Sequence, residues 1–105
     1  MSSVRWTRGA VRDLLEIRSF IAVEDPVAAD RWIQRLRDRA RLAARHPRGG
    51  RVVPEFGRDD VREVFVRTYR IVCRMLPDEI HVLTVFEGSR LLHPSNITDD
   101  SNGDR

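Results

Sequence analysis

The chain contains no lysine; all 19 of its basic residues are arginine. Codon bias in a GC-rich genome accounts for that without invoking function. With nothing titrating between histidine and arginine, an isoelectric point of 10.3 overstates a formal net charge of only +3. A single cysteine, Cys73, excludes an internal disulfide and any cysteine-based metal site. No apolar run approaches the ~20 residues of a membrane span, and the start MSSVRWTRG has no hydrophobic secretory segment. The expected location is therefore the cytoplasm, where Asn96-Ile97-Thr98 has no meaning as a glycosylation acceptor. A glycine-rich phosphate loop, His/Cys metal spacing and a serine–histidine pair at useful distance are also missing. No metal or cofactor is expected.

What is present suits one soluble domain: 105 residues, 41% hydrophobic and 33% charged. A chain of this length supports a single core that buries roughly 65% of its unfolded surface. Residues 1–94 read as that domain. From Ser95 onward the composition is polar without an apolar period, and a disordered tail over 95–105 is expected. Without that tail, which holds three acids and one arginine, 18 arginines face 13 acids, a body of +5. Such a balance is compatible with RNA or an acidic partner and diagnostic of neither.

Taken in order, Val4 and Trp6 alternate with Ser3 and Arg5, a short strand with one apolar side. Thr7 fits the N-cap of a helix from about Arg8 to Val23, with Ala10, Leu14, Ile17 and Ile21 at helical spacing and Val11 and Leu15 beside them. Asp25-Pro26 is a second helix start, a capping carboxylate followed by proline at the first helical position. This helix should run to about His46, ended by Pro47, with Ala29, Trp32, Ile33, Leu36, Ala40 and Ala43 on one face. The short connection makes the two helices an antiparallel hairpin. The outer face of the second carries Arg31, Arg35, Arg39, Arg41 and Arg45 with Asp30 and Asp38, a solvated surface or a docking one. Arg51 to Val53 reads as a short strand closed by Pro54, and Gly57 to Asp60 as a turn. There are no internal repeats.

From Val61 to Leu92 three β-rich runs are separated by connections so short that only antiparallel neighbours fit, a meander. With Arg67-Thr68 and Leu76–Glu79 as turns, Val64 should face Ile71, and Ile71 should face Thr84. Arg67-Thr68 is an unusual hairpin pair, since neither residue is glycine or asparagine; Pro77 and Asp78 suit a type I turn. This register puts Val64, Val66, Tyr69, Ile71, Cys73, Met75, Ile80, Val82 and Phe86 on one face. Glu63, Phe65, Arg70, Val72, Arg74, His81, Leu83 and Val85 fall on the other. The first face is a core and Cys73 an ordinary small member of it. The helical hairpin should cover it, because neither layer can bury its apolar side alone. The fold class is therefore α+β: an N-terminal strand and helical hairpin on one face of a small, curved, mainly antiparallel sheet.

The second face stays open or is covered by something else, and its polar groups are the candidate site: Arg51, Glu55, Glu63, Arg70, Arg74, His81, Arg90 and His93. Arg70 stands out, because a charge in a central strand is costly unless it is paired or faces a groove. An ion pair with Glu63, its diagonal neighbour, and a binding role are both consistent with that position. His81, opposite Arg74, reads as a surface spacer. Glu55 as base, Arg70 and Arg90 as clamps and His93 as acid are the residue types for RNA cleavage by a 2′-hydroxyl.

The ordered set VRWTRGAVRDLLEIRSFI, DPVAADRWIQRL, GGRVVPEFG, VREVFVRTYRIVCRM and IHVLTVFEGSRLL resembles the RelE/ParE superfamily of bacterial type II toxin–antitoxin toxins over about residues 3 to 93. The resemblance implies two helices packed on a small sheet, and a cognate antitoxin partner whose C-terminal segment wraps the toxin in a hetero-oligomer. RelE-like toxins cut mRNA on the ribosome; ParE-like toxins poison DNA gyrase without catalysis. The helix lengths, the GGRVVPE loop and the ending FEGSRLL look more like the ParE branch. Arg70 matches an arginine that ribonuclease members use on phosphate, Glu55 a glutamate that some use as base, and Arg90 lies near their second arginine. The lysines and the C-terminal catalytic tyrosine of the ribonucleases have no counterpart, and His93-Pro94 stands where the tyrosine would be. The reading is a gyrase-binding toxin, with Arg51, Arg70, Arg74, His81 and Arg90 as target-binding residues. A ribosome-dependent endoribonuclease, or a non-toxic binding module on the same fold, is the alternative.

Overall fold

A computed structural model describes residues 3–88. Thr7 joins the first two elements. Its hydroxyl accepts from Ala10 N at 3.2 Å as the N-cap of α1 (Arg8–Ala22) and donates to Val82 O at 2.9 Å. This one buried side chain therefore both starts the helix and ties the end of β1 (Ser3–Trp6) to the sheet. Asp25 caps α2 (Pro26–Arg45) in the same way, accepting from Ala28 N at 3.0 Å with Pro26 in the first turn. Both helix starts lie where the capping residues placed them.

The sheet has five strands in the order β1-β5-β4-β3-β2, with β2 at Arg51–Val52, β3 at Val61–Val66, β4 at Tyr69–Met75 and β5 at Glu79–Glu87. Its sequential neighbours are antiparallel, while β1 runs parallel to β5, so the sheet is mixed. The β3–β4 hairpin closes through Arg67, whose φ of 54° supplies the left-handed residue that the tight turn demands. The next turn closes with Leu76 N donating to Glu79 O at 2.9 Å.

The expected pairing of Val64 with Ile71 holds, and Cys73–Val82, Arg74–His81 and Met75–Ile80 follow the expected register. The expected Ile71–Thr84 pair does not form. A bulge between Val72 and Cys73 leaves Leu83 as the extra residue, so Ile71 pairs with Val85 and Val72 with Thr84. Beyond the bulge β5 changes phase: Val85 joins the helix-covered core and Phe86 crosses to the opposite face, the reverse of strict alternation.

Two cores result. The larger lies under the helices, where Leu14, Leu36, Ala40 and Ala43 meet Val64, Ile71, Cys73, Ile80, Val82 and Val85. Side chains as fully buried as Leu36 and Ile71 contribute about 1.5–3 kcal/mol each. Leu15, expected near this face, is 59% exposed, because it lies one position around the helix from Leu14. The smaller core, Val53, Val61, Val72, Leu83 and Phe86 with Phe56 against it, occupies the second face. The chain between β2 and β3 crosses that face as a strap: Phe56 N and Gly57 N both donate to Val53 O, at 3.1 and 3.0 Å. The second face is therefore closed over its centre rather than open.

Candidate functional site

Under the strap, four side chains form an alternating chain of charge. Arg51 stands opposite Glu63 in the β2–β3 ladder and donates from Nε to Oε2 at 2.6 Å. The other oxygen, Oε1, accepts from Arg70 Nε at 2.8 Å and also from Arg70 Nη2, along the diagonal that the strand register requires. The far side of the Arg70 guanidinium bonds Glu55, Nη1 to Oε2 at 3.2 Å and Nη2 to Oε1 at 3.3 Å. Its guanidinium carbon lies 5.1 Å from the Phe86 ring centroid, a contact that exists only because the bulge turned Phe86 to this face.

The electrostatics follow from the geometry. The Glu63 side chain is wholly buried and that of Arg70 is 7% exposed, so each charge survives through its partners. Burial works against the Arg70 cation, but the bonds to Glu55 and Glu63 outweigh it and raise its pKa. The bond from Arg70 holds Glu55 below its ordinary value, helped by the field of Arg51. Two arginines and two glutamates sum to zero.

Arg74 and His81 face each other in a second polar group at the opposite end of the same face. Arg74 Nε lies 3.6 Å from Asp60, a carboxylate kept below its ordinary value first by its bond from Arg58. His81 Nε2 is 3.0 Å from Glu79, which also lies 3.8 Å from Arg5. At 8% exposure His81 is buried, not a surface spacer, because it lies between two neighbouring strands, paired with Arg5 of β1 on one side and Arg74 of β4 on the other. The apolar centre of Val61, Val72 and Leu83 separates this group from the Arg70 chain. Arg90 and His93 lie outside the described residues.

Of the expected site residues, then, Arg51, Glu55, Glu63 and Arg70 come together, and Arg74 and His81 belong to a separate group. Pattern reading missed Asp13. Its Oδ2 accepts from Thr84 Oγ1 at 2.6 Å and Val85 N at 3.0 Å, covering the edge of β5 past the end of β1. Burial raises its pKa against those two bonds. Nothing in the helical spacing around it marks it as a partner, since Thr84 and Val85 lie on β5 beyond the bulge, more than 70 residues along the chain. Among the described residues no group of three or more His, Cys, Asp or Glu could hold a metal ion, and no helix is long and apolar enough to cross a membrane.

A family model described as the ParE toxin of the type II toxin–antitoxin system, parDE, matches residues 4–92. The chain belongs to the ParE toxin family. A relative named Toxin RelE2, from Caulobacter vibrioides (strain ATCC 19089 / CIP 103742 / CB 15), is 33% identical over 92 residues, covering 87% of this chain and 100% of its own length. A solved structure titled "Chromosomal ParDE TA system from P. aeruginosa" superposes with a TM-score of 0.69 at 23% identity, over 83% of this chain and 96% of that one. The helical hairpin on a mixed sheet is thus the fold of a ParDE structure, and the ParE-family chain is a toxin of the type II class, for which an antitoxin is the implied partner.

Proposed function

We propose that this ParE-family toxin acts by binding DNA gyrase and trapping it on cleaved DNA, and that a cognate antitoxin neutralises it in a hetero-oligomer. The observation that carries the choice of binding over RNA cleavage is the state of Arg70 and Glu55. A general base works best with a pKa near the operating pH. Glu55 is held below its ordinary value, with both oxygens engaged by Arg70. A phosphorane needs cations whose charge is available to it. Arg70 is buried between two carboxylates. In this reading Arg51, with a side chain 64% exposed, and Arg74, at 36%, present charge to the target. Arg70 and His81 hold the surface beneath them, and Arg90 belongs to the same set.

Induced expression tests this reading. Covalent gyrase–DNA complexes should accumulate and the DNA-damage response should switch on, while mRNA stays intact. Transcripts cut within codons, without DNA damage, would replace gyrase binding with ribosome-dependent endoribonuclease activity. Normal growth at full expression would point to a non-toxic binding module.

A further inference from the structure

Past Val82, where its pairing with β1 ends, β5 has no strand on its outer side among the described residues. α1 runs along that side instead, held by the bonds of Asp13 to Thr84 and Val85 N. Toward the end of β5 the two elements border a cleft of about 470 Å³. Ile17 and Tyr69, both packed against the larger core, form its floor, and Phe20, 79% exposed, its wall. Its charged members are Asp13, Glu16 and Glu87, and no cation lines it among the described residues. On a body of net positive charge this is a local reversal of sign.

The described chain ends at this cleft. Glu87 borders it, and Gly88 N donates to Thr68 O. Residues 89–98 hold Arg90 and His93 and no acid, with Leu91 and Leu92 between the two. Leu91 is three residues beyond Gly88, a reach of at most roughly 11 Å. A second cleft opens near the same end, lined by Arg67 beside Thr68, but it carries three arginines, Arg35, Arg39 and Arg67, against one acid, Asp38. Charge therefore separates the two clefts as receptors for a cationic segment.

We infer that Ser89–His93 turns back into the acidic cleft of its own chain, with Leu91 and Leu92 covering Ile17, Phe20 and Tyr69. Three features select this occupant. The segment starts at the cleft mouth, its two leucines match the apolar floor, and its charge opposes that of the rim. A second copy docked by the same face would set Glu16 and Glu87 against their own counterparts, whereas a tethered segment meets no such repulsion. Anchored by the leucines, Arg90 is fixed at the end of the sheet where the chain passes Arg70; a Cβ on Gly88 would lie 3.2 Å from Arg70 Cγ. Docking thus positions Arg90 within the target-binding set. That consequence rests on the gyrase reading; the docking itself does not.

The test traps the segment in the full-length toxin, with no target present. A disulfide needs Cα atoms within roughly 7 Å. On mild oxidation, Glu16→Cys with Leu92→Cys should close an intramolecular disulfide about 10-fold faster than Leu42→Cys with Leu92→Cys, which samples the arginine-lined cleft. Cys73 is buried and stays out of the exchange. Hydrogen exchange on the wild-type toxin should show the Leu91 and Leu92 amides protected, and Phe20→Ala should remove that protection. Equal rates for the two cysteine pairs, a disulfide formed only between molecules, or unprotected amides would each overturn the docking. In cells, Leu91→Ser with Leu92→Ser, which keeps Arg90, should reduce gyrase–DNA complexes as much as Arg90→Ala does. Wild-type levels in the double serine variant would overturn the positioning of Arg90. Absence of such complexes even in the wild type would remove the gyrase reading and leave the disulfide result standing.

Discussion

Arg70→Ala removes the cation bonded to Glu63 Oε1 and, among the described residues, leaves that carboxylate with Arg51. Breaking a buried pair in this way costs about 3–5 kcal/mol, whereas replacing both partners with apolar groups is often close to neutral. Urea denaturation should therefore find Arg70→Leu with Glu63→Leu more stable than Arg70→Ala, although two residues are changed. An Arg70→Ala midpoint near wild type, with toxicity lost, would instead make Arg70 a target contact. The Glu63–Arg70 diagonal was legible in the sequence because it follows from strand register alone. The bond from Glu55 was not, since it depends on how the strap folds across the sheet, and no periodicity encodes a loop's path.

At the scale of elements, the sequence marked helix starts more sharply than strand phase. Thr7 and Asp25-Pro26 are local signals, readable because a cap needs a particular side chain at one position. The bulge at Leu83 is not local. An extra residue that looks like any other strand hydrophobe betrays itself only through the partner strand, so Val85 and Phe86 were read on the wrong faces. Thr7 also shows why a cap can exceed its usual value. Thr7→Val keeps the volume but leaves Ala10 N without its acceptor and Val82 O without its side-chain donor. Thermal or chemical unfolding should register a loss of about 2 kcal/mol, more than an exposed cap at about 1 kcal/mol, because the hydroxyl is buried. A loss below half that value would mean water replaces both bonds.

For the whole molecule, the sequence carried the two-layer architecture, since an amphipathic hairpin and a one-sided meander have only each other to cover. It did not carry the second, smaller core, because Val53 and Phe56 sit among Pro, Gly and charged residues that read as a plain connection. The two sides of the sheet are thus shut by different means, a pair of helices on one and a single strap on the other. Cys73 lies on the helical side, fully enclosed, and burial pushes its thiol up to about 12. Thiolate is the reactive form, so the native protein should resist thiol reagents until that layer lifts. As the chain's sole sulfhydryl, it is a reporter already installed. Pulsed alkylation should quicken in Leu36→Ala, which loosens the clasp, and stay slow in Phe56→Ala, which loosens the strap. Equal acceleration in both would mean that the two coverings detach together, as one cooperative unit.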